Sequence, residues 1–296
     1  MSKPTVFTGA GVALVTPMHP NGQVNHEKMA ELIDWQIAEG TDAILSCGTT
    51  GENATLSIEE HLAALRTAID ATAHRVPLIA GTGSNDTAFA INTSREAAAM
   101  GADAVLVVTP YYNKTSQRGL MAHYRAISEA IPHTPIILYN VPSRTGVNIK
   151  PETVAALYRE LPNVVGIKQA NGDLSSVAQI AALCDIDIYS GNDDQIVPIL
   201  SLGGKGVLSV LSNVAPRETH DICAAWFAGD PDRSRRLQLE WLDLANALFS
   251  DVNPIPAKEA LNLMGKAVGN CRLPLYPMEE RARAALASVL EAHHLR

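Results

Sequence analysis

Short apolar runs rich in β-branched residues recur along the first two thirds of the chain, and stretches with helical periodicity separate them. The runs begin 20 to 33 residues apart, about the length of one βα unit. Because the runs are almost continuously apolar, the strands they predict are buried on both faces, as in a parallel sheet. Eight such units favour a (β/α)8 barrel over a doubly wound sheet. The predicted strands span residues 11–16, 43–48, 76–81, 104–109, 135–140, 164–168, 186–190 and 206–210.

Helix signals lie between these runs. Ser57 and Glu60 form a capping-box pattern ahead of an apolar periodicity. Pro151 stands where the first turn of a helix tolerates proline. After residue 210 the strand signals stop, which predicts a catalytic barrel over residues 1–229 and a helical region over 230–296 packed on it. The last helices are predicted over residues 231–249, 257–268 and 278–293.

Composition narrows the class of protein. At 296 residues and 47% apolar content the chain can bury a large core, and its net charge of -8 argues against a nucleic-acid partner. No signal-peptide pattern opens the chain, and no apolar run approaches the roughly 20 residues that span a bilayer. These features predict a cytoplasmic protein with no membrane partner. The cysteines lack C-x-x-C spacing and are predicted to be free thiols: Cys47, Cys184, Cys223 and Cys271.

Lys168 ends an apolar run that otherwise predicts a buried strand. An ammonium group at the mouth of such a strand loses hydration, and this loss disfavours its charged form. A free lysine has a pKa of about 10.4, and burial can lower it by roughly 3–5 units. The resulting neutral amine is a nucleophile that can form a Schiff base with a carbonyl substrate. The alternative is a lysine that ends a strand and extends to water.

Polar residues follow most of the other predicted strands directly. Thr49 and Thr50 come after the second strand, Tyr139 lies near the end of the fifth with Arg144 beyond it, and Lys168 ends the sixth. In barrels of this kind the active site lies at the C-terminal ends of the strands. Hydroxyl groups, one lysine and one arginine therefore converge on one mouth, which indicates an enzyme.

Each of these groups has a use in imine chemistry with a 2-oxo acid. Lys168 would attack the ketone, and Tyr139 on the neighbouring strand could move protons. Thr49 and Thr50 offer hydroxyls, and the glycines around them let backbone N–H groups approach a carboxylate. The planar fork of Arg144 suits a second carboxylate. The competing readings are a packed tyrosine, an ordinary βα turn and a surface arginine.

Motifs for other chemistry are incomplete. Gly81-Thr82-Gly83 lacks the third glycine of a dinucleotide fingerprint, because position 86 is Asp86. The nine histidines show no H-E-x-x-H or similar spacing. We therefore expect neither a cofactor nor a metal.

Together these motifs resemble the pyruvate-dependent class I aldolases of the N-acetylneuraminate lyase superfamily, and specifically their dihydrodipicolinate synthase family. The resemblance extends from residue 11 to residue 256. Each motif is weak alone, but their order and spacing are specific. They are Gly48-Thr49-Thr50-Gly51-Glu52, Pro110-Tyr111-Tyr112-Asn113, Tyr139-Asn140-Val141-Pro142-Ser143-Arg144-Thr145-Gly146 and Gly166-Ile167-Lys168.

The resemblance implies a reaction and a set of site residues. Lys168 would form a Schiff base with pyruvate, and the enamine would attack L-aspartate 4-semialdehyde. Cyclisation would then give 4-hydroxy-tetrahydrodipicolinate, on the route to diaminopimelate and lysine. The implied site comprises Thr49, Tyr112 and Tyr139 as a proton relay, Thr50 and Leu208 lining the pyruvate site with Gly191 nearby, and Arg144 for the semialdehyde carboxylate.

The resemblance also implies an assembly and a regulatory pocket. The family residue matching Tyr112 reaches into the neighbouring subunit's site, so a dimer is the minimal unit and a homotetramer, a dimer of dimers, is expected. In feedback-sensitive bacterial members, histidine matches Ile58 and glutamate matches Phe89. Because Phe89 cannot pair with the α-ammonium of lysine, weak or absent lysine inhibition is expected. The implied pocket comprises Asn53, Ala54, Ile58, His61, Asn85, Phe89 and Tyr111.

Two alternatives keep parts of this interpretation. A pyruvate-dependent sugar-acid aldolase, acting on N-acetylneuraminate or a 2-keto-3-deoxy-sugar acid, would share the fold and the imine. Such enzymes resemble the chain less at Thr49-Thr50 and Tyr111-Tyr112, and Arg144 favours a short acceptor that carries a carboxylate. A non-catalytic barrel that binds a 2-oxo acid is the other alternative, but it would need no proton relay.

Overall fold

The computed structural model of the protein describes residues 3–296. Within them, eight parallel strands pair in chain order and close into a barrel, with β8 returning to β1. The predicted (β/α)8 fold is confirmed, and every strand end lies within three residues of its prediction. The strands are β1 Gly9–Ala13, β2 Ala43–Ser46, β3 Leu78–Gly81, β4 Ala104–Val108, β5 Ile136–Asn140, β6 Val164–Gln169, β7 Asp187–Ser190 and β8 Gly206–Ser209.

Helices separate the strands and continue to the C-terminal end of the chain. The Ser57 side chain accepts from the Glu60 N–H and the Glu60 carboxylate accepts from the Ser57 N–H, which confirms the capping box. Pro151 is the first residue of its helix, as predicted. The helices are α1 His26–Ala38, α2 Ile58–Thr72, α3 Thr87–Met100, α4 Gln117–Ala130, α5 Pro142–Thr145, α6 Pro151–Glu160, α7 Leu174–Leu183, α8 Ile196–Ser201, α9 Pro216–Phe227, α10 Pro231–Glu240, α11 Leu242–Ala247, α12 Ile255–Leu263 and α13 Glu280–Ala292.

The barrel lumen is filled with side chains, so the molecule has a packed centre and an open mouth. Leu45, Ile79 and Ile137 are at most 1% exposed and belong to this inner cluster. Phe7, which precedes β1, stacks on Tyr189 with ring centroids 4.4 Å apart, and the Tyr189 hydroxyl donates to the Phe7 carbonyl (2.8 Å). This packing leaves room for chemistry at the C-terminal ends of the strands.

The C-terminal region is helical, but its helices are shorter than predicted. The helix predicted over residues 231–249 is divided into α10 and α11 at Trp241. The buried Trp241 ring stacks on His293, just beyond α13, with centroids 4.4 Å apart. The helix predicted over residues 257–268 ends at Leu263, shortly before Gly265 takes a φ of +79°. The domain boundary at residues 229/230 stays a prediction.

Two further observations concern the chain as a whole. Within residues 3–296, none of the helices has the length and apolar character that crossing a bilayer demands. The cysteines are all unpaired, as expected from their spacing: Cys47, Cys184, Cys223 and Cys271.

Candidate active site

Lys168 lies near the C-terminal end of β6 and is only 5% exposed. Its register partners are Tyr139 of β5 on one side and Tyr189 of β7 on the other. Burial lowers the pKa of the Lys168 ammonium from 10.5 to about 8. The Asp193 carboxylate opposes this fall and the Arg144 guanidinium adds to it. A substantial fraction of the amine is therefore neutral near pH 8, as a Schiff-base nucleophile must be.

Tyr139 lies against that amine, since Lys168 Nζ is 4.8 Å from the centroid of its ring. Burial raises the pKa of the Tyr139 phenol, while a hydrogen bond with the Thr49 side chain and the charge of Arg144 act in the opposite direction. Tyr139 therefore keeps its proton at neutral pH. The structure thus places Lys168 against Tyr139, and Tyr139 against Thr49.

A cavity of about 180 Å³ opens at this end of β2 to β5. Apolar side chains such as Leu106 and Val141 form part of its wall. Lys168 lies beside Tyr139 rather than on the wall itself. The mixture of apolar surface and a few polar groups is typical of a small-molecule site. The polar lining residues include Thr49, Asn53, Tyr111, Tyr139, Arg144 and Thr145.

Two glycines allow the strand ends around this cavity to approach one another. A Cβ atom on Gly81 would lie 2.2 Å from the carbonyl oxygen of Cys47, and one on Gly83 would lie 2.3 Å from the backbone nitrogen of Val108. Any side chain at either position would displace backbone. The partial dinucleotide motif around Thr82 is therefore explained by packing between β2, β3 and β4.

Arg144 and Thr50, both predicted to bind substrate, contact the same residue of the C-terminal region. The Asn253 amide nitrogen donates to Thr50 Oγ1 (3.0 Å). Arg144, on the short helix α5, donates from Nη2 to the Asn253 carbonyl (3.1 Å). Thr50 is 3% exposed, whereas Arg144 is exposed at the rim. Sequence reasoning placed Asn253 at a boundary between helices and gave it no contact.

Gly191 directly follows β7 and Leu208 lies in β8, and both are held by packing. Leu208 of β8 is completely buried and belongs to the same inner cluster as Tyr139. The Gly191 N–H donates to the carbonyl of Gln169 (2.8 Å), next to Lys168. A Cβ atom on Gly191 would lie 2.6 Å from the Cβ of Ala170, so this position requires glycine. Gly191 therefore borders the lysine-bearing strand.

Tyr112 is the predicted relay residue that the structure does not bring to the cavity of its own chain. Its side chain is 91% exposed, and its φ of +66° places a bulky residue in the left-handed region. Such a conformation costs on the order of 1–2 kcal/mol. The adjacent Tyr111 does line the cavity. Tyr112 therefore presents its hydroxyl outward, away from Lys168.

The residues of the predicted lysine pocket fall into two groups. Asn53, Ala54 and Tyr111 line the cavity. His61 is buried, and its Nε2 lies 2.9 Å from the carbonyl oxygen of Gly81; burial lowers the pKa of this imidazole. The others lie nearer the surface: Ile58 is half-buried, Phe89 is 40% exposed, and the Asn85 carbonyl accepts from the Asn113 amide at 3.0 Å.

Gln169 uses both ends of its side-chain amide in hydrogen bonds to neighbouring residues. Its Oε1 accepts from the Asn140 side chain (2.8 Å), and its Nε2 donates to Ser176 (3.4 Å). Gln169 is 1% exposed and directly follows Lys168. The position thus contributes no negative charge beside the amine.

Asp193 is a charged site residue that sequence reasoning did not single out, although its segment follows the seventh strand. Its Oδ2 accepts from the N–H groups of Val210 (3.1 Å) and Leu211 (2.9 Å). Burial raises the pKa of the Asp193 carboxyl, whereas those N–H groups and Lys168 favour its ionised form. Its Oδ1 is buried without a hydrogen-bond partner in the described part of the chain. Asp193 therefore opposes the fall in the Lys168 pKa.

A buried ion pair anchors the loop that carries Thr49 and Thr50. Glu52, in the left-handed region at φ +56°, accepts from Lys258 of α12 at 2.8 Å, and both side chains are at most 2% exposed. Lys258 also donates to the carbonyls of Thr16 (3.0 Å) and Asn270 (2.7 Å). In the sequence, the sign of this pair is Glu52, an acidic residue at the end of an otherwise uncharged turn. No cluster of metal-ligating side chains occurs within the described range.

A buried lysine of lowered pKa at the mouth of a (β/α)8 barrel, with a protonated tyrosine beside it, is the arrangement that lyases of the aldolase type need for Schiff-base chemistry. A sequence model of one such family matches residues 6–293 of the chain. The chain belongs to the Dihydrodipicolinate synthetase family.

Individual relatives agree with this assignment. The chain is 57% identical to the 4-hydroxy-tetrahydrodipicolinate synthase of Lachnoclostridium phytofermentans, over 97% of this chain and 98% of that protein. The structure of the chloride-inhibited dihydrodipicolinate synthase from Acinetobacter baumannii complexed with pyruvate superposes with a TM-score of 0.95 at 43% identity, covering 99% of this chain and 100% of that one. The enzyme from Cyanidioschyzon merolae with lysine bound gives a TM-score of 0.96 at 40% identity, with coverages of 99% and 100%.

Proposed function

We propose that this protein condenses pyruvate with L-aspartate 4-semialdehyde through a Schiff base on Lys168, giving 4-hydroxy-tetrahydrodipicolinate on the route to diaminopimelate and lysine. The observation that carries this proposal is the buried Lys168 amine, with a pKa of about 8, against Tyr139. Family membership and the relative that is 57% identical support the same reaction.

The first half-reaction activates pyruvate. The neutral Lys168 amine attacks the ketone carbon, and the carbinolamine loses water to give an imine. The Tyr139 hydroxyl, with Thr49 beside it, supplies the proton that leaves with this water. The tyrosinate that this leaves then takes a proton from the methyl carbon, which converts the imine into an enamine and restores the Tyr139 hydroxyl.

The second half-reaction forms the carbon–carbon bond and the ring. The enamine carbon attacks the aldehyde carbon of the semialdehyde, and the aldehyde oxygen takes up a proton. The acceptor's amino group then adds to the imine carbon and displaces Lys168, which closes the ring and frees the enzyme. Thr50 and Leu208 hold pyruvate, and Arg144 at the rim binds the acceptor's carboxylate. In a chain of net charge -8, the local positive charge of Arg144 attracts anionic substrates.

The test of this proposal is steady-state turnover of pyruvate with L-aspartate 4-semialdehyde, coupled to a reductase that consumes the product. We expect turnover, and borohydride should trap pyruvate on the enzyme. Trapping without turnover of the semialdehyde would move the assignment to a sugar-acid aldolase. Absence of a trapped adduct would contradict the imine itself.

We infer that the enzyme works as a homodimer or as a homotetramer built from two such dimers, with Tyr112 completing the partner's site. The support is its geometry: a tyrosine that is 91% exposed, with left-handed backbone, beside the cavity-lining Tyr111. Strain of this kind persists where a function requires it. A cytoplasmic location also stays a prediction.

Subunit complementation is the prediction that tests this assembly. Tyr112→Phe and Lys168→Ala are each expected to be nearly inactive as pure proteins. Co-expression should restore about a quarter of wild-type activity, because half of random dimers are hybrids with one intact site. The matched control is the double variant Tyr112→Phe/Lys168→Ala co-expressed with Lys168→Ala, which should stay inactive. Full activity in a monomer by sedimentation would contradict the proposal.

Lysine is expected to inhibit this enzyme weakly or not at all. Phe89, 40% exposed on α3, offers no carboxylate to the α-ammonium of lysine, and a charge-assisted hydrogen bond is stronger than a neutral one. Phe89→Glu should increase the inhibition, and Phe89→Gln is the uncharged control. The measurement is initial rate against lysine concentration. Half-inhibition of the wild-type enzyme below about 1 mM would overturn this prediction, since it corresponds to more than about 4 kcal/mol of binding.

A further inference from the structure

Asn253 joins two substrate-binding groups that come from different parts of the barrel. Thr50 follows β2 and Arg144 follows β5, and Asn253 lies just before α12 in the C-terminal region. Asn253 is 6% exposed, and its side chain contacts Thr50 while its main-chain carbonyl contacts Arg144. One buried residue therefore fixes the distance between these two groups.

The direction of each hydrogen bond determines what the groups can still offer to a substrate. The Asn253 amide donates to Thr50 Oγ1, so the hydroxyl proton of Thr50 is left free to donate elsewhere. A carboxylate is the acceptor that such a proton and the adjacent N–H groups suit. Arg144 uses one of its five N–H groups on the Asn253 carbonyl and keeps the others. Both groups are thus oriented as donors before a substrate binds.

The segment that carries Asn253 is fastened to the Thr50 loop a second time. Five residues further along, Lys258 forms the buried ion pair with Glu52, which lies two residues after Thr50. Removing either partner of such a pair leaves an uncompensated charge, so the pair resists displacement. Two separate contacts therefore hold the segment that carries Asn253 against the Thr50 loop.

We propose that Asn253 is a positioning residue for carboxylate recognition, which orients the hydroxyl proton of Thr50 and anchors the guanidinium of Arg144. This inference rests on the proposed function only in assuming that Thr50 binds the carboxylate of the 2-oxo acid. It assigns to the C-terminal region a direct part in substrate affinity. Asn253 itself need not touch the substrate.

The test uses Asn253→Asp and Asn253→Ala in the full-length protein. An aspartate cannot donate to Thr50 and would accept the proton that the substrate needs. Losing one charge-assisted hydrogen bond corresponds to about a tenfold weaker affinity or more. We therefore expect Asn253→Asp to raise at least about tenfold the pyruvate concentration that half-saturates borohydride trapping, with a smaller rise for Asn253→Ala. The maximal extent of trapping should stay the same.

The matched control is Asn262→Ala in α12, the helix that follows Asn253. Asn262 donates to the Gly269 carbonyl (3.0 Å) and accepts from the Val268 N–H (2.8 Å), away from the site. The pyruvate concentration that half-saturates borohydride trapping of the Asn262→Ala variant should equal that of the wild type. In a Thr50→Val background, the Asn253→Asp change should add little to the effect of Thr50→Val alone.

Two outcomes would overturn the inference. One is unchanged half-saturation in both Asn253 variants, and the other is an equal rise in Asn262→Ala, which would indicate general disturbance of α12. The readout needs only pyruvate and Lys168, so it remains valid if the enzyme turns over a different acceptor. Failure of the proposed acceptor and failure of this inference are therefore distinguishable.

Discussion

Replacing Lys168 by alanine or methionine is expected to lower the condensation rate by at least about 10³-fold, because the covalent route to the enamine disappears. Lys258, the other fully buried lysine in residues 3–296, cannot substitute, since its ammonium is held by Glu52 and two main-chain carbonyls. The measurements are the coupled rate and borohydride trapping of pyruvate, followed by mass spectrometry. Retained trapping at another residue would contradict the assignment of the nucleophile.

The pH dependence of the wild-type enzyme should report the same amine. With a pKa of about 8, roughly one Lys168 in ten is neutral at pH 7, whereas only about one ordinary lysine in a few thousand is. The rate of Schiff-base formation should therefore rise as pH rises through about 8 and level off above it. A rate that is flat between pH 6 and 9 would show that another step or group governs adduct formation.

The stability of these variants separates chemistry from folding. The pKa of Lys168 in the folded protein lies below its unfolded value of 10.5. Below pH 8 the buried ammonium therefore lowers the free energy of unfolding. This destabilisation disappears as the pH rises from 8 to 10.5. Its size is on the order of 3 kcal/mol. Lys168→Met, which is similar in volume, should therefore melt at or above the wild-type temperature at pH 7. If Lys168→Met is inactive and also melts below the wild-type temperature, that variant does not separate lost chemistry from lost stability. The activity test then rests on Lys168→Ala.

Tyr139→Phe is expected to lower kcat by about 10²- to 10⁴-fold, the usual range for losing a positioned acid–base group. The phenylalanine keeps the ring that packs 4.8 Å from Lys168 Nζ and removes only the hydroxyl. Pyruvate should still be trapped on Lys168, but more slowly, because carbinolamine dehydration then lacks its proton donor. Rapid-quench trapping over time measures that step directly.

A matched control uses the buried Tyr189, whose hydroxyl bonds the Phe7 carbonyl on the other side of the lysine strand. Tyr189→Phe removes a hydrogen bond but no proton relay. It should therefore lower the free energy of unfolding by about 1 kcal/mol and change kcat little. If the two variants lose activity equally, the role of Tyr139 is structural and the proposed relay is wrong.

The barrel could be predicted from sequence because each strand is a local signal. A strand buried on both faces needs an unbroken apolar run, and the spacing between runs equals one βα unit. The convergence of Thr49, Tyr139 and Lys168 followed from the same rule, since parallel strands deliver their C-terminal ends to one mouth. Lys168 was recognisable for a physical reason: a charged residue closes a strand that otherwise carries none.

The residues that sequence reasoning missed are those whose partners lie far along the chain. Asn253 contacts Thr50 from 203 positions away, and Lys258 contacts Glu52 from 206 positions away. Contacts between positions so far apart produce no periodic pattern in the sequence. Asp193 was missed for another reason, because an acidic residue after a strand usually reads as an exposed turn. Its burial depends on N–H groups supplied by β8 and the turn after it.

The Glu52–Lys258 pair has a consequence for how the enzyme is made. During synthesis, at about 5–20 residues per second, all eight strands emerge before Lys258 and Asn270 do. The turn carrying Thr49 and Thr50 therefore reaches its final anchoring only when nearly the whole chain has left the ribosome. A nascent barrel would already contain Lys168, but Glu52 would still lack Lys258, the buried cation that balances its charge. The anchor of this catalytic turn is thus completed late in synthesis.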